Sequence, residues 1–214
     1  MKRHRHHSRI AQGDGTISTD ATEVAVDPTP SRRDELLRSA ASLFAQYGVN
    51  GVSTNQIAAQ LGLSGPALYR HFESKDAILS ELLLRDSRRL RDTAGEIIRF
   101  LEPRPALTAL VEAHVGFAIE HTDLIVIQSR ELQHLQGPDR QTVQEIQREY
   151  IEIWAATLLR VRPEISLSTA LSATVAVLGL INSAPFGLQR ESGKKLGPLL
   201  QQMAITALLM SDIS

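Results

Sequence analysis

The chain has 214 residues, 43% hydrophobic and 22% charged, with a formal charge of −1 and no Cys. At about 100–200 residues per domain this allows one domain or two small ones with a full core, and the absence of Cys excludes disulfides, Cys-ligated zinc, iron–sulfur clusters and thiolate nucleophiles. Five Phe, three Tyr and one Trp are too few for a base-stacking platform, and the near-neutral charge excludes coating of nucleic acid by bulk charge while leaving room for a local DNA-reading element.

Residues 1–30 read as a disordered tail. Lys2, Arg3, Arg5 and Arg9 form a basic head, Asp14, Asp20, Glu23 and Asp27 an acidic second part, and the apolar residues follow no period. No apolar run follows the basic head, so it is not a secretory signal, and the cysteine-free composition fits a cytoplasmic protein. The tail reads as a solvated extension rather than a DNA-touching arm, because its basic cluster lies far from the folded part. Its histidines lack the convergent orientation a specific metal site needs.

From Ser31 onward the pattern is helical, and the expectation is an all-α fold of about nine helices. Leu36, Leu37, Ala40, Ala41, Phe44 and Tyr47 mark the first, ended by Gly48 and Gly51. Ser53 caps a short second helix from Thr54 to Leu61, and Gly62 breaks it. Ser64 caps a third, with Pro66 in its first turn, running to about His71. Ser74 caps a long fourth helix to about Leu101, where Pro103 and Pro105 stop it. Further helices are expected over about 105–121, 123–135 and 138–161, then one marked by Leu167 to Ile181 and a last one marked by Leu196 to Leu208. The uncharged stretch Ile165–Gln189 is long enough to span a bilayer, yet its Ser, Thr, Asn and Pro residues point to a helix buried in protein, with no membrane partner.

The two short helices joined by Gly62-Leu63 form a helix–turn–helix, the DNA-reading arrangement. Ile57, Leu61, Leu68 and Phe72 would pack inward against Phe44. Ser64, Gly65, Pro66, Ala67, Tyr69, Arg70 and His71 would face solvent. Arg70 suits guanine O6 and N7, and Pro66 or Ala67 a thymine methyl. Thr54, Asn55, Tyr69 and Lys75 offer hydroxyl, amide and ammonium groups for phosphates. Lys75 is a cation at a helix start, a misfit with the dipole that a phosphate would explain.

The stretch from Arg33 to Leu79, with Phe44, Gly48, Ser53-Thr54, Ile57-Ala58, Gly62-Leu63-Ser64, Leu68-Tyr69, His71-Phe72 and Ser74-Lys75, resembles the TetR family of bacterial one-component regulators. The resemblance implies a helix–turn–helix domain over residues 31–76 and a helical ligand-binding and dimerisation domain over 77–214. It implies a homodimer that binds a double-stranded, palindromic DNA operator and lets it go when a small-molecule effector enters. It places Ser64, Pro66, Ala67, Tyr69, Arg70 and His71 on recognition-helix positions, and Thr54 and Lys75 on phosphate-contact positions. Gly65-Pro66-Ala67 departs from members with Lys, Arg or Gln there, which shifts readout toward Arg70, methyl contacts and DNA shape. The alternative reading is a nucleoid-associated or cell-division factor using the same fold on many dispersed sites.

The last two helices are apolar on wide faces, which fits either an intramolecular core or a four-helix interface with a second copy; the resemblance favours the interface, with Ala170, Ala173, Val177, Leu200, Ala204 and Ala207 as its expected residues. Polar groups on otherwise apolar helices mark the expected effector pocket: His114, His121, Gln128, Arg130, Tyr150, Trp154 and Asn182, with Phe117 and Phe186 among its apolar walls. The aliphatic composition favours a lipid-like or acyl ligand. No G-x-S-x-G, H-E-x-x-H or P-loop is present, and Glu131/His134 is a lone E-x-x-H pair, so no enzyme, cofactor or metal is expected.

Overall fold

In the computed structural model, which describes residues 31–186 and 193–210, nine α-helices and two short 3₁₀ turns are present and no strand occurs among the described residues. The tail over residues 1–30 lies outside the described residues.

Helix α1 (Arg32–Tyr47) starts where the Ser31 side chain accepts from the Asp34 N–H, with Asp34 and Glu35 favourably placed at its positive end. Ser53 and Gln56 close a capping box on α2 (Thr54–Ala59). The turn to α3 (Gly65–Leu68) passes through Gly62 at φ 67°, and the Leu63 N–H returns to the Ala58 carbonyl at 2.9 Å. A side chain at position 62 would be strained in that left-handed conformation, so glycine fixes the angle between the two helices. Helix α3 is shorter than the pattern suggests: beyond Leu68 the chain continues to Phe72 in turns, held by the Leu68 carbonyl.

Helix α4 (Lys75–Phe100) is 26 residues long and capped by Ser74. It ends at Phe100, before Pro103 as expected, and Pro103 also opens α5 (Pro103–Glu120), where a missing N–H costs nothing. Helix α6 (Thr122–Glu131) tightens into a 3₁₀ turn at Leu132–His134. Helices α7 (Gly137–Val161), α8 (Leu167–Ile181) and α9 (Gly193–Leu209) complete the fold.

Two apolar clusters hold it. One gathers Leu36, Phe44, Ile57, Leu68 and Phe72 with Ile78, Leu79, Leu82 and Leu83 of α4 and Ile127 of α6. The other gathers Leu107, Val111, Trp154, Leu158, Ile181, Leu200 and Ala204, with Leu90 and Ile97 of α4 packed against it. The expected division after residue 76 thus falls in the first turn of a helix that continues unbroken into the second cluster. The segment Leu167–Phe186 is apolar and long enough to cross a membrane by composition alone. Its Ala170, Thr174, Val177, Leu178 and Ile181 nevertheless lie buried in protein.

Candidate nucleic-acid interface and effector cavity

Phe44, Ile57, Leu68 and Phe72 are buried beneath α2 and α3, so the opposite side of the pair faces solvent. Asn55, Ser64, Pro66, Tyr69 and Arg70 are exposed there, and Thr54, Ala67 and His71 are half-buried. Tyr69 is 55% exposed, with its hydroxyl 3.2 Å from Thr54 Oγ1, which excludes a core role for its ring. The Ser64 hydroxyl makes no capping bond and stays available. The surface therefore presents a hydroxyl pair, a free hydroxyl, an amide and a guanidinium around a small, shallow helix start.

Two of the expected contact residues do something else. Gly65 is buried: a Cβ built on it would lie 1.9 Å from Asn55 Oδ1. It offers no group to a base; its bareness makes room for the Asn55 side chain. Lys75 Nζ donates to the carbonyls of Val49 at 2.9 Å and Val52 at 2.7 Å, in the turn between α1 and α2. These two carbonyls are enough to account for a cation at the start of α4, so its placement there is no longer a sign of a phosphate.

Arg33, which sequence reasoning left out, ties the element together. Its guanidinium bonds the Glu81 carboxylate, donates to the His71 carbonyl, and lies 4.1 Å over the Phe72 ring. Arg85 pairs with Asp34, whose carboxyl that bond holds down at about 2. Both pairs join α1 to α4 across 48 or more residues of sequence, a separation at which periodicity carries no signal.

Farther along, α4, α5, α7 and α8, with Gln128 of α6, border two adjoining half-open cavities of about 250 and 210 Å³ that share Leu90, His114 and Tyr150 as walls. Phe117 lines the first, Gln128 and Asn182 the second. The Tyr150 hydroxyl lies 3.0 Å from His114 Nδ1, and His114 Nε2 lies 3.0 Å from Asn182 Oδ1. With the Asn182 oxygen accepting, Nε2 carries the proton and Nδ1 accepts from the tyrosine. Burial pushes the His114 pKa down to about 4 against the help of Asn182, and burial pushes Tyr150 upward. The ring is neutral at pH 7.

The remaining expected pocket residues lie elsewhere. Trp154 is fully buried behind the wall, edge-on to His114 and Tyr150, with its Nε1 unpartnered among the described residues. His121 bonds Arg89 at 3.1 Å and packs on Phe117, and Arg130 lies over the exposed Phe186 ring; none of His121, Arg130 and Phe186 lines either cavity. Ser87, Gln147 and Ile151, absent from the expectation, line the second cavity. No cluster of three metal-ligating side chains occurs among the described residues.

The expected dimer residues need correcting. Ala170, Val177, Leu200 and Ala204 are 0–4% exposed in the single chain, packed into its own core. Ala173 and Ala207 are half-buried against that same cluster. The outward row of α8 and α9 is Leu167, Val175, Leu199 and Met203, 45–59% exposed. Regular helical spacing marks the inward face of each helix, and the outward apolar row is a separate stripe that the spacing alone does not distinguish from it.

Residues 36–82 match the family model for bacterial regulatory proteins of the tetR family, and residues 101–185 that for the tetracyclin repressor-like C-terminal domain. The HTH-type transcriptional repressor KstR2 of Rhodococcus jostii (strain RHA1) is 33% identical over 129 residues, 59% of this chain and 63% of that protein, so the match spans less than two thirds of it. A TetR-family transcriptional regulator from Bordetella parapertussis 12822 superposes with a TM-score of 0.78 at 23% identity, covering 86% of this chain and 97% of that one. PfmR, a TetR family regulator from Thermus thermophilus, does so with a TM-score of 0.74 at 25% identity, covering 87% and 100%.

Proposed function

This chain belongs to the TetR family of bacterial regulators, and from that premise we propose that it is a cytoplasmic, ligand-responsive transcriptional repressor that grips a palindromic operator as a homodimer. The observation that carries the reading is the solvent-facing set Thr54, Ser64, Tyr69 and Arg70 on a helix–turn–helix whose inner face is fully packed. Arg70 is the base-reading cation, Thr54, Ser64 and Tyr69 hold phosphates, and Pro66 and Ala67 supply apolar contact. No catalytic role is assigned to any residue.

The exposed row Leu167, Val175, Leu199 and Met203 is the surface a second copy covers. A two-fold dimer then presents two recognition elements to half-sites about 34–36 Å apart. The effector enters beside α4, whose first turns hold the DNA-reading element through Lys75, Glu81 and Arg85. A ligand that binds better to the wrongly spaced form releases DNA, and operator must weaken ligand binding by the same factor.

Retention of sheared genomic DNA on the purified protein at near-physiological salt tests this. One or a few palindromic sites near promoters are expected, and dozens of scattered sites would favour a nucleoid factor instead. The double change Tyr69→Ala, Arg70→Ala is expected to lower specific affinity about a hundredfold or more, from about 1–3 kcal/mol for the base contact plus a phosphate contact. Undiminished affinity in that variant would remove the DNA-reading role.

A further inference from the structure

The two cavities meet at the His114–Tyr150 pair, and their walls differ in charge. The smaller one, about 210 Å³, has no charged side chain; its polar groups beside His114 and Tyr150 are Ser87, Gln128, Gln147 and Asn182. The larger one, about 250 Å³, has a single cation, Arg89, which bonds His121 and shares the wall with Glu112 and Glu120. A buried carboxylate or phosphate requires a paired charge, and neither cavity offers an unopposed one.

The internal hydrogen bonds set the polarity of the wall further. The Tyr150 O–H is spent on His114, the His114 Nε2–H on Asn182 Oδ1, and both ring nitrogens are occupied. Among the buried polar atoms of the residues lining the smaller cavity, the one left unmatched is a donor: Gln147 Nε2 has no acceptor among the described residues. Leaving such a donor unpaired is costly, and a ligand oxygen would recover that cost. The apolar share of the wall comes from Leu90, Ile151, Leu178 and the half-exposed Val175 at its edge. The volume exceeds the roughly 150 Å³ that suffices for benzene, yet lies below the roughly 300–1,000 Å³ of ordinary ligand pockets.

We infer that this site, taken as the effector site of the reading above, receives a small uncharged molecule with an apolar body and a neutral acceptor oxygen, a ketone or ester carbonyl, held by the Gln147 amide. The charged acid of the same chain length is discriminated against, because its carboxylate meets only neutral groups.

Trp154 is the only tryptophan, so its fluorescence reports on the wall it packs behind. Octan-2-one and sodium octanoate are titrated into the full-length protein at pH 7.5. A saturable change with octan-2-one is expected, with octanoate binding at least about tenfold more weakly, which is about 1.4 kcal/mol. Gln147→Leu, which deletes the donor, and Gln147→Glu, which replaces it by an acceptor at nearly the same shape, are both expected to weaken octan-2-one binding about tenfold. Octanoate binding as tightly as the ketone, wild-type ketone affinity in both variants, or no saturable response to the ketone would each overturn the inference. Retention of specific genomic fragments in those cases leaves the regulator reading standing, whereas ketone binding by a protein that selects no DNA sinks that reading alone.

Discussion

Lys75 shows how one side chain separates two physical explanations of the same placement. A cation in the first turn of a helix opposes the dipole, and two peptide oxygens at 2.7 and 2.9 Å satisfy it. Lys75→Met removes two charge-assisted bonds, so a stability loss of about 1–3 kcal/mol is expected, read by urea denaturation. The salt dependence of specific DNA binding is expected to keep its slope. A slope reduced by about one would identify a phosphate contact instead. Gly65 teaches the same caution. From sequence it is a small residue at a groove-facing helix start, whereas in space it is the gap that Asn55 fills. Tyr69 and Arg70 were legible because their neighbours on the apolar face, Leu68 and Phe72, fix the phase of a short helix. Arg33 was not, because its partners His71 and Glu81 are 38 and 48 residues away.

Helices differ in how much of their environment their sequence encodes. Ser53, as the cap of α2, and Gly62, as the break after it, are local signals and could be read directly, whereas the ends of α2 at Ala59 and α3 at Leu68 fall short of the apolar pattern. In α8 and α9 the apolar residues run nearly all round, so the period is visible and the phase is not. Ala170 and Ala204 face inward, and Val175 and Met203 outward. Paired substitutions on one helix test the assignment. Met203→Glu is expected to leave a folded chain that sediments as a monomer. Ala204→Glu, one residue on and 0% exposed, is expected to unfold the chain, since an unpaired carboxylate has no place in that core. A dimeric Met203→Glu protein would move the subunit contact to another surface. The pocket residues were half-legible for a related reason. Polar groups on apolar helices betrayed His114, Tyr150 and Asn182, but that signal cannot tell a wall from the layer behind it, where Trp154 sits, or from the rim, where His121 and Arg130 find partners of their own.

Across the molecule, the buried His114 and the half-buried Asp86 oppose each other in the same pH window. Burial holds His114 at about 4 against an ordinary 6.5, so the unfolded chain binds the extra proton between those values and stability rises with pH there. Burial raises Asp86 from 3.8 to about 7, despite Arg85 and Arg89, so the folded chain holds the proton and stability falls as pH rises. The slopes offset each other between about pH 4 and 6.5. Asp86→Asn removes one of them. That variant is expected to exceed the wild type in stability at pH 7.5. It is then expected to lose on the order of 3 kcal/mol on acidification from 6.5 to 4, as His114 exacts its cost. Asp34, held at about 2 by Arg85 and Ser31, adds its own loss only below about pH 4. Urea midpoints across this range check the sign, and a flat profile in the variant would count against His114 as the acid-sensitive group.

Helix α4 has one further consequence. Its 26 residues make a rod of about 39 Å at 1.5 Å per residue. One end is rooted among Ile78, Leu79 and Leu82, the other beside Leu90, Ala94 and Ile97 on the cavity side. A pivot of about 5° at the cavity end sweeps the opposite end through about 3 Å, close to the 3.4 Å spacing of successive base pairs. In the release mechanism proposed above, the leverage of this single helix would turn a movement smaller than a methyl group, a few ångströms from the fulcrum, into a registration error close to one step along the duplex.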